Sequence, residues 1–198
     1  MIDEALLMKF GAVLRSVKKG AYIFEEGTYP GFYYQILEGK VKMNNFTEDG
    51  KEFIQNIFIK GQSFGESPLF IDEAYPANAM AVTHATVLEL PKTSFYELLQ
   101  RHPEVSFQLN KILARRLHYK SIMAPEISSQ SPENRIWTLL KYLQKRAGVE
   151  QQEFLIDLSR QQLADLTGLR VETVIRTIKQ LEKRKKLKIR EGKIILEC

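Results

Sequence analysis

The chain has 198 residues, of which 44% are hydrophobic and 27% charged, and its formal net charge is +5. This composition excludes a disordered chain, and no apolar run approaches the ~20 residues that a membrane helix needs. The length fits one large domain or two small ones.

The N-terminus and the cysteine content narrow the class of protein. Met1-Ile2-Asp3-Glu4 carries acid where a secretory signal carries Lys or Arg. Cys198 is the one cysteine, so it cannot form an internal disulfide or hold an iron–sulfur cluster or structural zinc alone. We therefore expect a cytoplasmic protein with no cofactor and no bound metal.

Residues 15–91 have the pattern of short strands separated by turns. Glycines recur near every tenth residue, with apolar or aromatic stretches between them. The best strand candidates are 22–24, 33–37, 40–43, 53–58 and 86–90. Glu48-Asp49-Gly50 is typical of a hairpin turn, because Asp-Gly readily supplies positive φ. Evenly spaced short strands predict a β-sandwich or barrel.

Helices are predicted after Pro91. Residues 92–101 predict a short helix, and Pro103 suits the first turn of the next one. From 104 to about 122, apolar residues recur at spacings of three and four, which predicts an amphipathic helix roughly 30 Å long. We predict a dimer seam on this helix, formed by Leu109, Ile112, Leu113 and Leu117. The alternative is that the helix docks on the chain's own barrel.

A Ser/Pro-rich segment, 125–132, predicts a break in the chain and the main domain boundary. A further helix is predicted from Glu133 to about Arg146, ended by Gly148. The expected division is a β-roll over 1–102, a dimerisation helix over 103–127 and a third domain over 128–198.

The C-terminal segment predicts two short helices around a tight turn. Ser159 and Gln162 can form a capping box at the start of the first helix. Gly168 can adopt the left-handed conformation at the turn, and a second helix follows from about Arg170. Residues 187–196 alternate about Glu-Gly-Lys, which predicts a β-hairpin. Together these elements predict a winged helix-turn-helix.

Positive charge is concentrated in the same segment. Residues 159–198 contain 11 Lys/Arg and 5 Asp/Glu, a net charge of +6, whereas the whole chain carries +5. Such asymmetry favours a segment that meets a polyanion, although a solvated basic helix is the simpler alternative.

The polar residues of the second helix are candidates for reading DNA. Residues at the start of a recognition helix meet base edges in the major groove, and the candidates here are Arg170, Glu172, Thr173 and Arg176. Arginine can bind guanine, and glutamate can accept a hydrogen bond from cytosine. The alternative is that Glu172 and Arg176 form a surface ion pair. The candidate phosphate contacts are Ser159, Arg160, Lys179, Lys185 and Lys186.

The sequence resembles the Crp/Fnr superfamily of bacterial transcription regulators over nearly its whole length. The motifs that carry the resemblance are 19–27, 34–41, Phe64-Gly65-Glu66, 131–136, 158–164 and 169–176. The resemblance implies an α+β chain: an N-terminal double-stranded β-helix of the jelly-roll, cyclic-nucleotide-binding type, a long dimerisation helix and a C-terminal winged helix. It also implies a homodimer on a palindromic operator, base reading by Glu172 and Arg176, and RNA polymerase as a partner. Val171 stands where cyclic-AMP receptors usually carry Arg, so this recognition stretch is closer to the Fnr type.

The effector pocket that the resemblance implies is degenerate. In members that bind cyclic nucleotides, a Gly-Glu holds the ribose and an arginine about ten residues later neutralises the phosphate. Gly65 and Glu66 are present, but the arginine position falls on Pro76, followed by Ala77, and 67–91 contain no Lys or Arg. A phosphate there would lack a charge partner, so we predict no tight binding of cyclic AMP or cyclic GMP. Glu66 is then expected to be a turn carboxylate satisfied by local amides.

Other sensing chemistries of the family lack their usual residues. Oxygen sensors hold a cluster on several cysteines, whereas this chain has Cys198 alone, at a terminus poorly suited to redox control. Haem sensors need axial ligands, and His84, His102 and His118 fit surface or helix positions better. The effector is either an uncharged or hydrophobic small molecule or absent.

Three other classes of protein are alternatives to the interpretation as a transcription regulator. A cupin-like enzyme needs clustered His and carboxylate ligands, but residues 1–83 contain no histidine, so we expect no enzyme. A nucleotide-sensing module without DNA binding leaves the winged helix unexplained. An architectural DNA-binding protein leaves the sensor-like domain idle. The sequence leaves activation and repression equally open.

Overall fold

The structure is a computed structural model that describes residues 2–128, 131–147 and 153–197, without the side chains of 127, 128 and 197. It contains two compact units, Met1–Ala114 and Arg115–Cys198, whose boundary lies inside one helix. In the first unit the elements are α1 (Glu4–Lys9), β1 (Val13–Val17), β2 (Tyr22–Phe24), β3 (Phe32–Glu38), β4 (Lys40–Phe46), β5 (Glu52–Ile59), β6 (Ser63–Phe64), α2 (Glu66–Ile71), β7 (Asn78–Ala81), β8 (Ala85–Pro91) and α3 (Lys92–Arg101). Helix α4 (Pro103–Ser128) contributes to both units, so the division into two units does not test the predicted division into three domains.

The first unit is a β-roll of two four-stranded antiparallel sheets. Their strand orders are β1-β8-β3-β6 and β2-β7-β4-β5. All five predicted strands are present, as β2, β3, β4, β5 and β8. The predicted turn joins β4 to β5: the Thr47 N–H donates to the Lys51 carbonyl at 2.9 Å, and Gly50 has φ +76°. The jelly-roll prediction is therefore confirmed.

Alternating side chains give this unit two cores. In β3, Tyr34 faces the space between the sheets, whereas Tyr33 faces a second core built with helices α1, α3 and the start of α4. In β8, Val87 and Leu88 divide between the two cores in the same way. Successive strand residues point to opposite faces, so a strand buried on both sides becomes almost continuously apolar.

Helix α4 differs from its prediction at both the predicted break and the predicted seam. It continues through Pro125 to Ser128, so a break beginning at 125 was wrong; residues 129 and 130 lie outside the described residues. Pro125 removes one backbone N–H donor from the helix. Because α4 has 26 residues, the loss of one hydrogen bond does not end it. Leu109 was predicted to lie in the dimer seam. It is instead 2% exposed and packs in the chain's own second core with Phe95 and Leu98.

The second unit combines helices with a small sheet. After α4 its elements are α5 (Pro132–Ala147), β9 (Glu153–Ile156), α6 (Arg160–Thr167), α7 (Val171–Lys183), β10 (Lys188–Arg190) and β11 (Lys193–Glu197). The predicted helices and hairpin are all present, and Gly148 lies outside the described residues. Strand β9 was not predicted; it pairs with β11 and extends the hairpin to a three-stranded sheet, β10-β11-β9. The described helices include none long and apolar enough to cross a membrane.

Candidate nucleic-acid interface

The start of helix α6 carries the predicted capping box. The Gln162 N–H donates to Ser159 Oγ at 3.0 Å, and the Ser159 N–H donates to Gln162 Oε1 at 2.9 Å. These two bonds satisfy backbone donors that the first turn of a helix otherwise leaves unpaired. Since Ser159 Oγ accepts in this cap, its own hydroxyl proton remains to be donated.

The turn between α6 and α7 is fixed by several hydrogen bonds. Gly168 has φ +67°, in the left-handed region that lacks a steric penalty only for glycine. The Leu169 N–H closes the helix on the Ala164 carbonyl at 3.0 Å, and the buried Thr167 hydroxyl donates to the Leu163 carbonyl at 2.6 Å. Helix α7 therefore leaves the turn in a defined direction.

Helix α7 has a buried face and an exposed one. Val174, Ile178 and Leu181 are at most 1% exposed and form the inward face. On the outward face, Glu172, Ile175, Arg176, Lys179, Gln180 and Lys183 line one surface concavity. The side chain of Arg170 is exposed beside this face, whereas Thr173 is half-buried.

The N-terminus of α7 suits contact with an anion. Arg170 is the N-cap residue, and no side chain caps the amides of the first turn. Those amides and the helix dipole favour negative charge at this end, and Glu172 in the first turn supplies part of it. A basic residue at the cap, instead of the usual Ser or Asp, strengthens the same preference.

The surface ion pair between Glu172 and Arg176, which was the alternative to base reading, is not formed. No contact of 4.0 Å or less between the carboxylate and the guanidinium occurs in this fully described helix. Both side chains are exposed. Each is therefore available to a base edge without first breaking a bond to the other.

The predicted phosphate contacts divide into exposed cations and cations that already have partners. Lys179 and Lys185 are exposed. Arg160 donates to the Gly192 carbonyl at 3.2 Å, and burial lowers the pKa of its guanidinium from the usual range. Lys186 lies 3.2 Å from Glu133 Oε1 and 5.7 Å from the Trp137 ring centroid.

Glu133 holds two cations at the C-terminal end of α7. Besides Lys186, Arg184 Nη1 lies 2.6 Å from Glu133 Oε2. The hydrogen bond from Lys186, followed by the charges of Arg184 and Lys186, lowers the pKa of the Glu133 carboxyl. This acid at the start of α5 therefore pairs with two basic side chains that follow α7.

The wing is the tight hairpin of strands β10 and β11, and charge pairs connect it to the segment 153–157. Glu191 and Gly192 at its tip have φ of +50° and +75°, the pattern of a two-residue hairpin turn that follows the twist of the strands. Arg190 lies 3.1 Å from Glu153 on β9, and Lys193 lies 3.5 Å from Asp157. These pairs tie the unpredicted strand β9 to the predicted hairpin.

Three residues that belong to this candidate interface were not singled out from the sequence. Arg135 donates to the Thr167 carbonyl at 3.0 Å, and Glu133 pairs with two cations; both lie inside the 131–136 motif, which was the available signal. Ile175 is exposed between polar candidates, and an apolar residue one position after buried Val174 was the signal for it. The helical spacing of the buried residues 174, 178 and 181 also places Ile175 outside the core face.

The predicted effector-pocket residues lie around the start of helix α2 and strand β7. Gly65 has φ +76°, and a Cβ there would lie 3.0 Å from a Phe24 ring carbon and 3.2 Å from a Tyr75 ring carbon. Glu66 is the first residue of α2 and is 1% exposed, rather than lying in an open turn. The Pro76 carbonyl accepts from Asn45 Nδ2 at 2.7 Å, and Ala77 is fully buried.

Aromatic rings fill the space beside Gly65. Tyr75 stacks on Phe24 with ring centroids 3.6 Å apart, and Phe64 stacks on Tyr34 at 5.4 Å. Burial raises the pKa of the Tyr34 phenol to about 12, helped by the charge of Glu89, and burial also raises that of Tyr75. The space beside Gly65 is therefore filled by closely packed rings, with the buried carboxyl of Glu66 near the Tyr75 phenol.

The three histidines lie apart from this interior. His84 Nε2 is 2.9 Å from the Ser16 hydroxyl, His102 Nδ1 is 3.0 Å from Glu104, and His118 is exposed on α4. Within the described ranges, no group of three or more His, Cys, Asp or Glu is placed to hold a metal ion.

Two known protein families match the chain, one in each half. Residues 14–102 match the cyclic nucleotide-binding domain family, and residues 134–197 match the Crp-like helix-turn-helix domain family.

Curated relatives match most of the chain. It is 32% identical over 153 residues to the cAMP-activated global transcriptional regulator CRP of Haemophilus influenzae, covering 75% of this chain and 68% of that protein. It is 30% identical to the cyclic AMP receptor protein of Thermus thermophilus, covering 84% and 76%. It is 29% identical to the transcriptional activator protein anr of Pseudomonas aeruginosa, covering 85% and 70%.

Solved structures share the fold. The c-di-GMP-responsive regulator CLP of Xanthomonas campestris aligns with a TM-score of 0.77 and 23% identity, covering 99% of this chain and all of that one. FixK2 of Bradyrhizobium japonicum aligns with a TM-score of 0.77 and 23% identity, covering 93% and 92%.

Proposed function

The chain belongs to the Crp/Fnr family of transcription regulators with a DNA-binding helix-turn-helix, and from this premise we propose that it acts as a homodimer on a palindromic operator, which it reads through helix α7. The observation that carries the proposal is the outward face of α7. It presents an unpaired carboxylate, Glu172, one turn before an unpaired guanidinium, Arg176, in a fully described helix.

The two side chains have complementary roles in the proposed complex. Arg176 donates two hydrogen bonds to guanine O6 and N7, and Glu172 accepts one from cytosine N4. Arg170 and Thr173, at the start of the helix, complete the proposed base-reading set. The proposed phosphate contacts are Ser159, Arg160, Lys179, Lys185 and Lys186, which fix the register without specifying sequence.

The exposed face of α4 supports the homodimer. Leu117 is 67% exposed, and Leu113, four residues earlier, is half-buried. Phe107, which was not among the predicted seam residues, is also exposed, but it lies about 80° around the helix from Leu117 and about 120° from Leu113, so we do not assign it to the seam. Ile112 is half-buried and lies towards the side of Leu109, so it stands at the margin of the proposed seam. A two-fold dimer places two copies of α7 one DNA turn apart, roughly 34–36 Å.

We further propose that cyclic AMP does not control this regulator. Two of the relatives are described as cyclic-AMP proteins, but this chain has Pro76 and Ala77 where such members place their phosphate contact. The packed rings of Phe24 and Tyr75 beside Gly65 support the same conclusion. The effector is then a different molecule or absent, and RNA polymerase in the cytoplasm is the expected partner at the promoter.

Selection of duplexes from a random pool tests the proposed function. The purified full chain is used without any additive, and bound DNA is sequenced after each round. A two-fold-symmetric sequence whose half-sites lie one helical turn apart is the expected result. Recovery of unenriched sequences, with affinity that depends only on salt, would reduce the protein to a non-specific DNA binder.

A further inference from the structure

Helix α7 exposes one aliphatic side chain at the edge of its polar face. Ile175 is 40% exposed, whereas the other aliphatic residues of its helix are buried or, for Val171, half-buried. It follows Glu172 by three positions and precedes Arg176 by one, and these three residues line the same concavity. Ile175 therefore lies within the patch that is proposed to meet base edges.

The major groove offers one apolar feature to such a side chain. Among the four bases, thymine alone carries a methyl group at C5, and apolar side chains recognise it by contact. An isoleucine suits this contact because branching at Cβ holds its χ1 in one preferred rotamer within a helix. Its methyl groups are thus presented in a fixed direction, with little conformational entropy to lose on binding.

We propose that Ile175 contacts the C5 methyl of a thymine in each half-site of the operator and so makes a T·A pair part of the recognised sequence. This inference rests on the proposed function, since it needs α7 in the major groove. The thymine lies next to the pairs read by Glu172 and Arg176, because the three side chains share one turn of helix. An exposed aliphatic group here has no hydrogen bond to make, so its discrimination comes from the methyl group alone.

Replacement of thymine by deoxyuridine tests the contact directly, because uracil lacks the C5 methyl and keeps the hydrogen-bonding edge of thymine. The probe is the duplex selected with the unmodified chain, carrying deoxyuridine at one thymine at a time in one half-site. We expect one position in the half-site at which the change weakens binding about three- to five-fold, as the loss of one buried methyl contact predicts. The other thymines show smaller changes.

Variants at Ile175 assign that penalty to the side chain. I175A binds the thymine and deoxyuridine duplexes equally at that position, whereas I175V retains part of the preference because it keeps a branched apolar end. Equal affinity of all three proteins for a duplex of unrelated sequence shows that the variants are folded.

The outcomes separate this inference from the proposed function. If no sequence is enriched from the random pool, both fail. If an operator is enriched but no deoxyuridine substitution weakens the unmodified chain, or I175A keeps the same penalty, the methyl contact is refuted while the regulator assignment stands.

Discussion

Arg135 Nη1 donates a hydrogen bond to the backbone carbonyl of Thr167 at 3.0 Å, which joins helix α5 to the turn that orients helix α7. A hydrogen bond from a charged donor to an acceptor on a buried residue contributes about 1.5–3 kcal/mol. We expect Arg135→Ala to lower the free energy of unfolding by about this amount and to speed amide hydrogen exchange at 167–171. Denaturant unfolding and hydrogen exchange of the full chain measure the two effects.

Lys145→Ala is the matched control for this prediction. Lys145 lies on the same helix, carries the same charge and is exposed. Its replacement should change the stability by no more than about 0.5 kcal/mol. Equal losses in the two variants would mean that the Arg135 bond contributes nothing beyond its charge.

Arg176→Ala should lower affinity for the selected operator by about 1–3 kcal/mol and relax the preference at one base position. The guanidinium is exposed and free of Glu172, so its bidentate contact to guanine is lost without a compensating change in the free protein. Lys183→Ala, on the same helix face, removes an equal charge and should weaken all duplexes alike. Fluorescence anisotropy with cognate and unrelated duplexes distinguishes the two. If Arg176→Ala weakens both duplexes equally, Arg176 contacts only phosphate.

Lys185→Gln and Lys186→Gln should weaken all DNA and together reduce the salt slope by up to about two units. The two residues are not equivalent, because Lys185 is exposed whereas Lys186 must leave Glu133 to reach a phosphate. We therefore expect the larger reduction from Lys185→Gln. Affinities measured from about 50 to about 200 mM salt supply the slopes. An unchanged slope in the double variant would remove both residues from the interface.

Most of the second unit could be predicted because its signals are local. The capping box at Ser159 and the left-handed Gly168 depend on neighbouring residues, and both are present as expected. Strand β9 was missed because its pairing partner, β11, lies far along the chain, beyond two helices and another strand. A four-residue strand without strong alternation has no local signal of its own.

Whether an individual side chain is buried or exposed depends on tertiary contacts that sequence spacing does not reveal. Leu109 and Leu117 have the same residue type on one helix, yet the first is 2% and the second 67% exposed. Leu109 is buried because it packs against helix α3 and the outer face of the β-roll. The alternative Glu172–Arg176 ion pair is not formed, which is consistent with the few tenths of a kcal/mol that an exposed pair at this spacing gains.

Pro76→Arg should fail to create a cyclic AMP site, although it restores the missing cation at the position that the family resemblance indicates. The rings of Phe24 and Tyr75 are stacked at 3.6 Å and lie 3.0–3.2 Å from a Cβ placed at Gly65, so they leave little space beside it. Titration calorimetry with the unmodified chain and the variant should give no saturable heat at micromolar cyclic AMP. Low-micromolar affinity of the unmodified chain would overturn the effector proposal, and binding by the variant alone would show that charge rather than space is limiting.

Leu117→Asp should convert the proposed dimer to monomers. In a two-fold interface each substitution occurs twice, and each removes about 1.5–3 kcal/mol of apolar burial and adds a charge that must be desolvated. Light scattering should then report a mass near 22.9 kDa, that of one chain. Ile122→Asp is the control, because Ile122 is 42% exposed and lies about 140° around the helix from Leu117. A Leu117→Asp protein that stays dimeric would exclude this seam, whereas dissociation of both variants would extend the interface around α4.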